Sequence, residues 1–209
     1  MFGSAWPRLL GYAELLADAG VVRGLIGPRE VPRLWDRHLC NCAQIAGAFG
    51  SGARVCDLGS GAGLPGVVLA LARPDLEVTL LEPLLRRTRF LDEVVDELGL
   101  DNVRVERGRA EEHAAAGFDA VTARAVAPLD RLVRWALPMC RPGGMLLAMK
   151  GASAADELAA AEPVLRKARA ASSQVRELAF SPQWSGVLAV EVIAGETVPA
   201  GKARRRRRS

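Results

Sequence analysis

The 209-residue chain has few aromatic residues, cysteines, histidines and lysines. Aromatic side chains make up 5% of it, and it has four cysteines, two histidines and three lysines. The cysteines form neither a Cys-x-x-Cys pair nor a disulfide-rich pattern, so we expect a reduced, cytoplasmic protein without a metal site. The strongly apolar run over residues 64–72 is about half as long as a bilayer span requires. The sequence therefore predicts no transmembrane helix.

Composition and charge predict one folded body with a basic end. Half of the residues are apolar and a quarter are charged, which excludes an intrinsically disordered chain. The length favours a single domain. The net charge is +4, yet six positive charges lie in the last eight residues, which leaves 22 basic and 24 acidic residues in the remainder. We expect a nearly neutral body followed by a disordered basic tail over residues 195–209.

Secondary-structure patterns predict an α/β fold. Helical periodicity over 5–19 and 29–48 predicts a helical extension over residues 1–50. Further helices are predicted over 65–72, 84–98, 129–140 and 154–171. Strands are predicted over 54–58, 77–81, 103–106, 119–123 and 145–149, and a closing hairpin over 175–180 and 187–193. Alternating strands and helices indicate a mostly parallel sheet, here of seven strands.

A glycine cluster follows the first predicted strand. Residues 57–66 read DLGSGAGLPG, and ligands of open α/β sheets bind at such carboxyl ends, where glycines let the backbone approach closely. The last three glycines also satisfy the Gly-x-Gly-x-x-Gly spacing of dinucleotide sites. However, Pro65 lacks an amide for the pyrophosphate, and Asp57 places a carboxylate beside it. S-adenosylmethionine, which carries an ammonium, a sulfonium and no phosphate, fits these residues better.

Two acids beyond the glycine cluster extend this interpretation. Glu82 ends the second predicted strand, where a carboxylate can accept both ribose hydroxyls of an adenosine. Glu111 comes just after the third strand, where the adenine edge is expected. An ordinary surface glutamate and an ordinary acid at a helix start are the alternatives.

The same residues resemble a known family. The stretch from Asp57 to Gly66 resembles class I S-adenosylmethionine-dependent methyltransferases, which have a Rossmann-like fold. Its Leu-Pro-Gly ending is similar to the bacterial 16S ribosomal RNA guanine-N7 methyltransferases, also called glucose-inhibited division protein B or the RsmG family. Further segments fit in order, over about residues 20–155: WDRH at 35–38, LLRRTRFL at 84–91, RAVA at 124–127 and KG at 150–151.

The resemblance implies an activity and a set of site residues. The activity is methyl transfer from S-adenosylmethionine to N7 of a guanine in the 530 loop of 16S ribosomal RNA, at nucleotide 527, by a methyltransferase domain over residues 51–194. Arg124 and His38 are the predicted catalytic residues. Arg86, Arg87 and Lys150 are the predicted RNA-binding residues. The predicted cofactor-binding residues are Asp57, Gly59, Gly61, Gly63, Leu64, Glu82, Ala110, Glu111 and Arg124.

One position departs from the family pattern, and three residues keep alternative interpretations. Many members have His-x-x-Asp-Ser where this chain has HLCNC at 38–42, so that uncharged Asn41 replaces the acid. Arg124 could instead be a surface arginine paired with an acid, and His38 a packing or capping residue. Lys150 could contact the fold's own carboxylates rather than RNA phosphate.

The chemistry of guanine N7 explains the short list of catalytic residues. The N7 lone pair is free and loses no proton, so the reaction needs alignment more than a general base. A guanidinium such as that of Arg124 can make a planar bidentate contact with cofactor or base. The expected partner is 16S ribosomal RNA, in the small subunit or its precursor, bound by a monomer away from membranes.

Three other functions remain open at this point. An NAD-dependent oxidoreductase would require Pro65 to be tolerated in the phosphate loop. A non-catalytic RNA-binding module that uses the tail would bind no cofactor. A methyltransferase with a small-molecule substrate is also compatible with the fold, because the fold does not fix function.

Overall fold

The computed structural model describes residues 2–114, 116–180 and 185–196, and seven strands among them form one sheet. They are β1 (Arg54–Leu58), β2 (Glu77–Glu82), β3 (Val103–Arg107), β4 (Phe118–Arg124), β5 (Cys140–Lys150), β6 (Ala170–Leu178) and β7 (Val187–Ala194). The order across the sheet is β3-β2-β1-β4-β5-β7-β6. Strand β7 pairs antiparallel with β5 and β6, and the other pairs are parallel. The predicted mostly parallel, seven-stranded sheet and its closing hairpin are confirmed.

Seven α-helices connect or precede these strands in the described residues. They are α1 (Trp6–Ala17), α2 (Ala19–Val22), α3 (Cys40–Gln44), α4 (Gly66–Ala72), α5 (Leu85–Leu98), α6 (Leu129–Ala136) and α7 (Ala154–Lys167). The helix predicted over 129–140 ends at Ala136, followed by a 3-10 turn over Leu137–Met139 that contains Pro138. The helix predicted over 154–171 ends at Lys167, because the chain turns at Arg169 (φ 56°) and enters β6.

The prediction of one continuous helix over residues 29–48 is wrong. The segment is divided into a 3-10 helix over Pro28–Arg33, a π-helical turn over Leu34–Leu39, and α3. Pro32 lies inside the 3-10 portion, where it removes a backbone donor. Turns of π-helix are rare and often occur at functional sites, and this one carries His38.

Both faces of the central strands are buried, and successive side chains of a strand point to opposite faces. Val55 and Leu80 belong to a core shared with α1, α3, α4 and α5, whereas Cys56 and Leu81 belong to a core shared with α6 and α7. The N-terminal helices therefore pack in the same core as the sheet. The boundary predicted between residues 50 and 51 stays a prediction, and residues 197–209 of the predicted tail lie outside the described residues.

No helix in the part of the chain that the structure describes is long and apolar enough to cross a membrane.

Candidate active site

The glycine cluster forms a tight loop between β1 and α4. Gly59, Gly61 and Gly63 all have positive φ, at 70°, 59° and 97°, which favours glycine. A Cβ on Gly63 would lie 2.6 Å from Cγ2 of Val67. The only tyrosine of the chain, Tyr12 of α1, donates a hydrogen bond of 2.8 Å to the carbonyl oxygen of Ala62. The loop is thus held in place by α1 as well as by its own backbone.

Asp57 holds the two ends of this loop together from a fully buried position. Its Oδ2 accepts a hydrogen bond of 2.9 Å from the amide of Gly66, and its Oδ1 is buried with no hydrogen-bond partner among the described residues. Burial raises the pKa of Asp57 to about 7, because desolvation disfavours the charged form.

Glu82 faces the same loop from the end of β2. Its Oε2 accepts a hydrogen bond of 3.0 Å from the amide of Gly61 and a longer one of 3.4 Å from Nη1 of Arg87. Its Oε1 accepts one of 3.0 Å from the amide of Leu84. A carboxylate offers about four acceptor positions. One position is therefore open, and a second is held only by the long contact with Arg87.

A cavity of about 390 Å³ lies at this edge of the sheet, within the usual size range of ligand pockets. Four of the predicted cofactor-binding residues line it: Gly59, Glu82, Ala110 and Glu111. Arg87, predicted to bind RNA, also lines it, whereas Gly61, Gly63, Leu64 and Asp57 shape the adjoining loop without being part of the lining. Its walls are otherwise largely apolar, with Leu58, Leu81, Val126 and Trp135. We call this space the first cavity.

A second cavity of about 670 Å³ is lined by seven charged or polar side chains and by apolar residues that include Leu25, Ile26, Met149 and Val187. It brings together His38, Arg124 and Lys150, which were all predicted as site residues. Arg124 was also predicted to bind the cofactor, but it does not line the first cavity. Ala125 lines both cavities and has a positive φ of 54°, an uncommon and strained conformation for a residue with a Cβ. The two cavities therefore adjoin at the end of β4.

His38 and Arg124 are in direct contact although 86 residues separate them in the sequence. Nη2 of Arg124 lies 2.6 Å from Nδ1 of His38, and Nη1 contacts the carbonyl oxygen of Arg37 at 3.5 Å. On its other side, Nε2 of His38 lies 2.9 Å from Oε2 of Glu30. Burial is the main cause that lowers the pKa of His38, and the Arg124 cation adds to it against the opposing effect of Glu30.

The three residues predicted to bind RNA lie in different environments. Lys150 donates to the carbonyl oxygen of Ala127 at 3.1 Å and to Oε2 of Glu157 at 2.7 Å. Its charge is thus neutralised by a carboxylate, the alternative that the sequence left open. Arg86 is exposed at the start of α5 and lines neither cavity. Arg87 reaches back to Glu82 instead.

Sequence reasoning missed three residues that complete this arrangement. Glu30 contacts His38, Tyr12 anchors the glycine loop, and Glu157 pairs with Lys150 while accepting the amide of Leu129 at 3.1 Å. None of them stands in a motif with a recognisable spacing. The only signal for Glu30 was an acid eight residues before His38, which predicts no contact because the intervening backbone is not a regular helix.

Comparison with known proteins assigns the chain to a family. Residues 6–183 match the family model GidB, described as rRNA small subunit methyltransferase G. The chain belongs to this family. A ribosomal RNA small subunit methyltransferase G of Thermobifida fusca is 65% identical over 170 residues, which cover 81% of this chain and 72% of the relative. A relative of the same name from a Nocardioides species is 59% identical over 183 residues, which cover 87% of this chain and 73% of the relative.

Solved structures support the same fold. A putative S-adenosyl-L-methionine-dependent methyltransferase of Methanococcus maripaludis superposes with a TM-score of 0.62 at 11% identity, covering 81% of this chain and 92% of that one. At this identity the likeness concerns the fold alone. It confirms the predicted class I methyltransferase fold with an N-terminal helical segment.

Proposed function

We propose that this family member transfers a methyl group from S-adenosylmethionine to N7 of a guanine in 16S ribosomal RNA, in the 530 loop and at nucleotide 527. The observation that carries the proposal is the junction of two unlike cavities at Ala125. One has the size and the ribose-type acid of a nucleoside site, and the other presents an arginine to a polar space. The names of the relatives supply the RNA substrate.

The residues around the first cavity fit S-adenosylmethionine better than a dinucleotide. The carboxylate of Glu82 lies against the glycine loop, where it would repel a pyrophosphate. Asp57 is buried behind this loop, outside the cavity lining, and would support the loop rather than meet the ligand. Glu82 would bind the ribose hydroxyls through its open acceptor position and the one that Arg87 now occupies. When bound, the cofactor supplies an electrophilic methyl group on a sulfonium.

The second cavity supports a role in binding and aligning the target base. Guanine N7 is an acceptor that loses no proton, so no general base is required. His38 is held neutral and already bonded to Arg124, which suits a residue that supports Arg124. Arg124 has five donors and would orient the base or the backbone beside it. Alignment of this kind contributes several kcal/mol to transfer reactions.

The experiment that tests this function is a map of N7-methylguanine in 16S ribosomal RNA. RNA from cells with and without the gene should differ at one guanine of the 530 loop, and the purified protein should restore that methyl to unmodified small subunits. An unchanged map would contradict the RNA substrate.

We extend the proposal to a monomer that acts in the cytoplasm, where ribosomes assemble.

A further inference from the structure

Three side chains from separate parts of the chain form one line of contacts along the second cavity. Glu30 comes from the 3-10 helix, His38 from the π-helical turn and Arg124 from the end of β4. Oε2 of Glu30 is 2.9 Å from Nε2 of His38, and Nδ1 of His38 is 2.6 Å from Nη2 of Arg124. All three residues line the second cavity.

The identity of the partners fixes the protonation of the ring. A guanidinium has donors only, so Nδ1 of His38 must be the acceptor of the Arg124 contact. The ring proton is then on Nε2, from which it donates to the Glu30 carboxylate. A proton on Nδ1 would point at the guanidinium, with no acceptor there. The carboxylate thus favours the one tautomer and ring orientation that lets His38 bind Arg124.

The other histidine of the chain has different partners. Nε2 of His113 lies 2.8 Å from Oε2 of Glu106, and Nδ1 lies 3.1 Å from the carbonyl oxygen of Arg109. Both partners are acceptors, so neither nitrogen of this ring faces a donor. His38 instead lies between an acceptor and a donor. Of the two histidines, only His38 contacts a carboxylate with one ring nitrogen and a guanidinium with the other.

We propose that Glu30 is a positioning residue, which acts through His38 to hold the guanidinium of Arg124 at the second cavity. The inference rests on the proposed function, since it assigns to Arg124 the alignment of the target. Removing Glu30 would free the imidazole to rotate or change tautomer, and Arg124 would lose its shortest contact. Cofactor binding would be unaffected because Glu30 does not line the first cavity.

The charged groups around His38 decide how acid affects this arrangement. Glu30 and Arg37 face the ring from the N-terminal segment, and Arg124 faces it from β4. Arg37 also pairs with Oε1 of Glu30 at 3.1 Å, and the His38 and Arg37 contacts lower the pKa of Glu30. The carboxylate therefore stays charged at neutral pH. Protonation of His38 below that range would place an N–H against Arg124 and break the contact.

Nitrogen NMR of the histidine rings tests the positioning directly, because the chain has only two histidines. In the full ¹⁵N-labelled protein at pH 7.5, His38 should show an unprotonated Nδ1 and a protonated Nε2. In Glu30→Ala the two His38 nitrogens should move toward averaged values, while those of His113 stay unchanged. A His38 pattern in Glu30→Ala identical to that of the wild type would overturn the proposal.

Single-turnover methylation of small subunits tests whether this positioning affects the rate of methyl transfer. Glu30→Ala should slow transfer about tenfold, the scale of one charge-assisted hydrogen bond, without changing the Kd of S-adenosylmethionine. Glu30→Gln, whose amide oxygen accepts the same bond, should keep the rate within about threefold of the wild type. Glu162→Gln is the matched control, because it removes an exposed glutamate–arginine pair on α7, and it should change nothing.

The outcomes separate the inference from the function on which it rests. An altered His38 spectrum with an unchanged transfer rate in Glu30→Ala would contradict the positioning role. Equal losses in Glu30→Gln and Glu30→Ala would do so as well, because the restored acceptor should rescue the rate. A wild-type protein that methylates no 16S ribosomal RNA would instead contradict the proposed function, and the nitrogen spectra would still decide whether Glu30 orients His38.

Discussion

The two cavities are built in different ways although they share Ala125. The first is made from short segments at the ends of β1 to β4 and from Trp135 of α6. Its charged side chains, Glu82, Arg87, Arg109 and Glu111, lie among largely apolar walls. The second is made from side chains that the N-terminal segment brings to the ends of β4 and β5. Most of its polar side chains contact one another, as Glu30 does His38 and Lys150 does Glu157.

This difference indicates a division of tasks. A largely apolar site formed by short segments at the strand ends suits a nucleoside cofactor. A site made of long polar side chains from separate segments, Arg124 among them, suits the placement of a target base. Substitutions in the first cavity should therefore change cofactor affinity, whereas substitutions in the second should change transfer.

The largest effect is expected for Arg124→Ala. Loss of two charge-assisted contacts to the target corresponds to about a hundredfold or greater loss of single-turnover rate, while the Kd of S-adenosylmethionine should stay within about threefold because Arg124 does not line the first cavity. His38→Ala should cost less, since it acts through Arg124. Arg166→Ala, which removes an exposed arginine of α7, is the control and should leave transfer unchanged. If His38→Ala abolishes transfer while Arg124→Ala leaves it intact, the claim that His38 acts through Arg124 is wrong.

Glu82→Ala should have the opposite profile. Two hydroxyl contacts are lost, at roughly 1.5–3 kcal/mol each, so the Kd of S-adenosylmethionine should rise at least about tenfold. Calorimetry on the folded variant measures this directly. Glu162→Ala provides the control because it removes an exposed glutamate of α7 that lines neither cavity. Unchanged affinity in Glu82→Ala would remove this carboxylate from the cofactor site.

Deletion of residues 202–209 should affect RNA binding only. The segment carries six positive charges, and each phosphate contact contributes about 0.7–0.9 to the slope of log K against log salt. The deletion should weaken binding to the ribosomal substrate at low salt and flatten that slope. Cofactor affinity should not change. Identical slopes with and without the segment would show that these arginines do not contact RNA.

The smallest effect concerns the stability of the protein without ligand. The pKa of buried Asp57 is raised to about 7, from 3.8 in an exposed aspartate, so the folded state is penalised when this group ionises. Asp57→Asn should therefore raise the Tm by about 3 °C or more at pH 8. The gain should shrink as the pH falls from 7 toward 4, where the wild-type group is protonated. Thermal melts across this range would contradict the account if the gain grew at low pH.

Much of the fold and the first cavity could be predicted from the sequence. Strand β1 and the glycine loop are adjacent in the chain. Glu82 could be predicted to face this loop because it ends the neighbouring strand. The seven-stranded sheet followed from the alternation of elements. These features depend on local patterns, which periodicity and glycine placement reveal.

The second cavity could be predicted only in part. His38 and Arg124 were both singled out, but their contact across 86 residues depends on how the N-terminal segment packs on the sheet. Glu30 reaches His38 because 3-10 and π-helical turns replace the expected regular helix. Lys150 was recognised, but its partner Glu157 on α7 was not. Contacts between charged side chains from distant segments leave no periodic signal in the sequence.

A crystal structure with S-adenosylhomocysteine tests the division between the cavities most directly. The account predicts ligand density in the cavity lined by Gly59, Glu82, Ala110 and Glu111, with the Glu82 carboxylate against the ribose hydroxyls. The second cavity, with Arg124 and His38, should contain none of the ligand. Density in the second cavity, or a ribose with no contact to Glu82, would contradict the account.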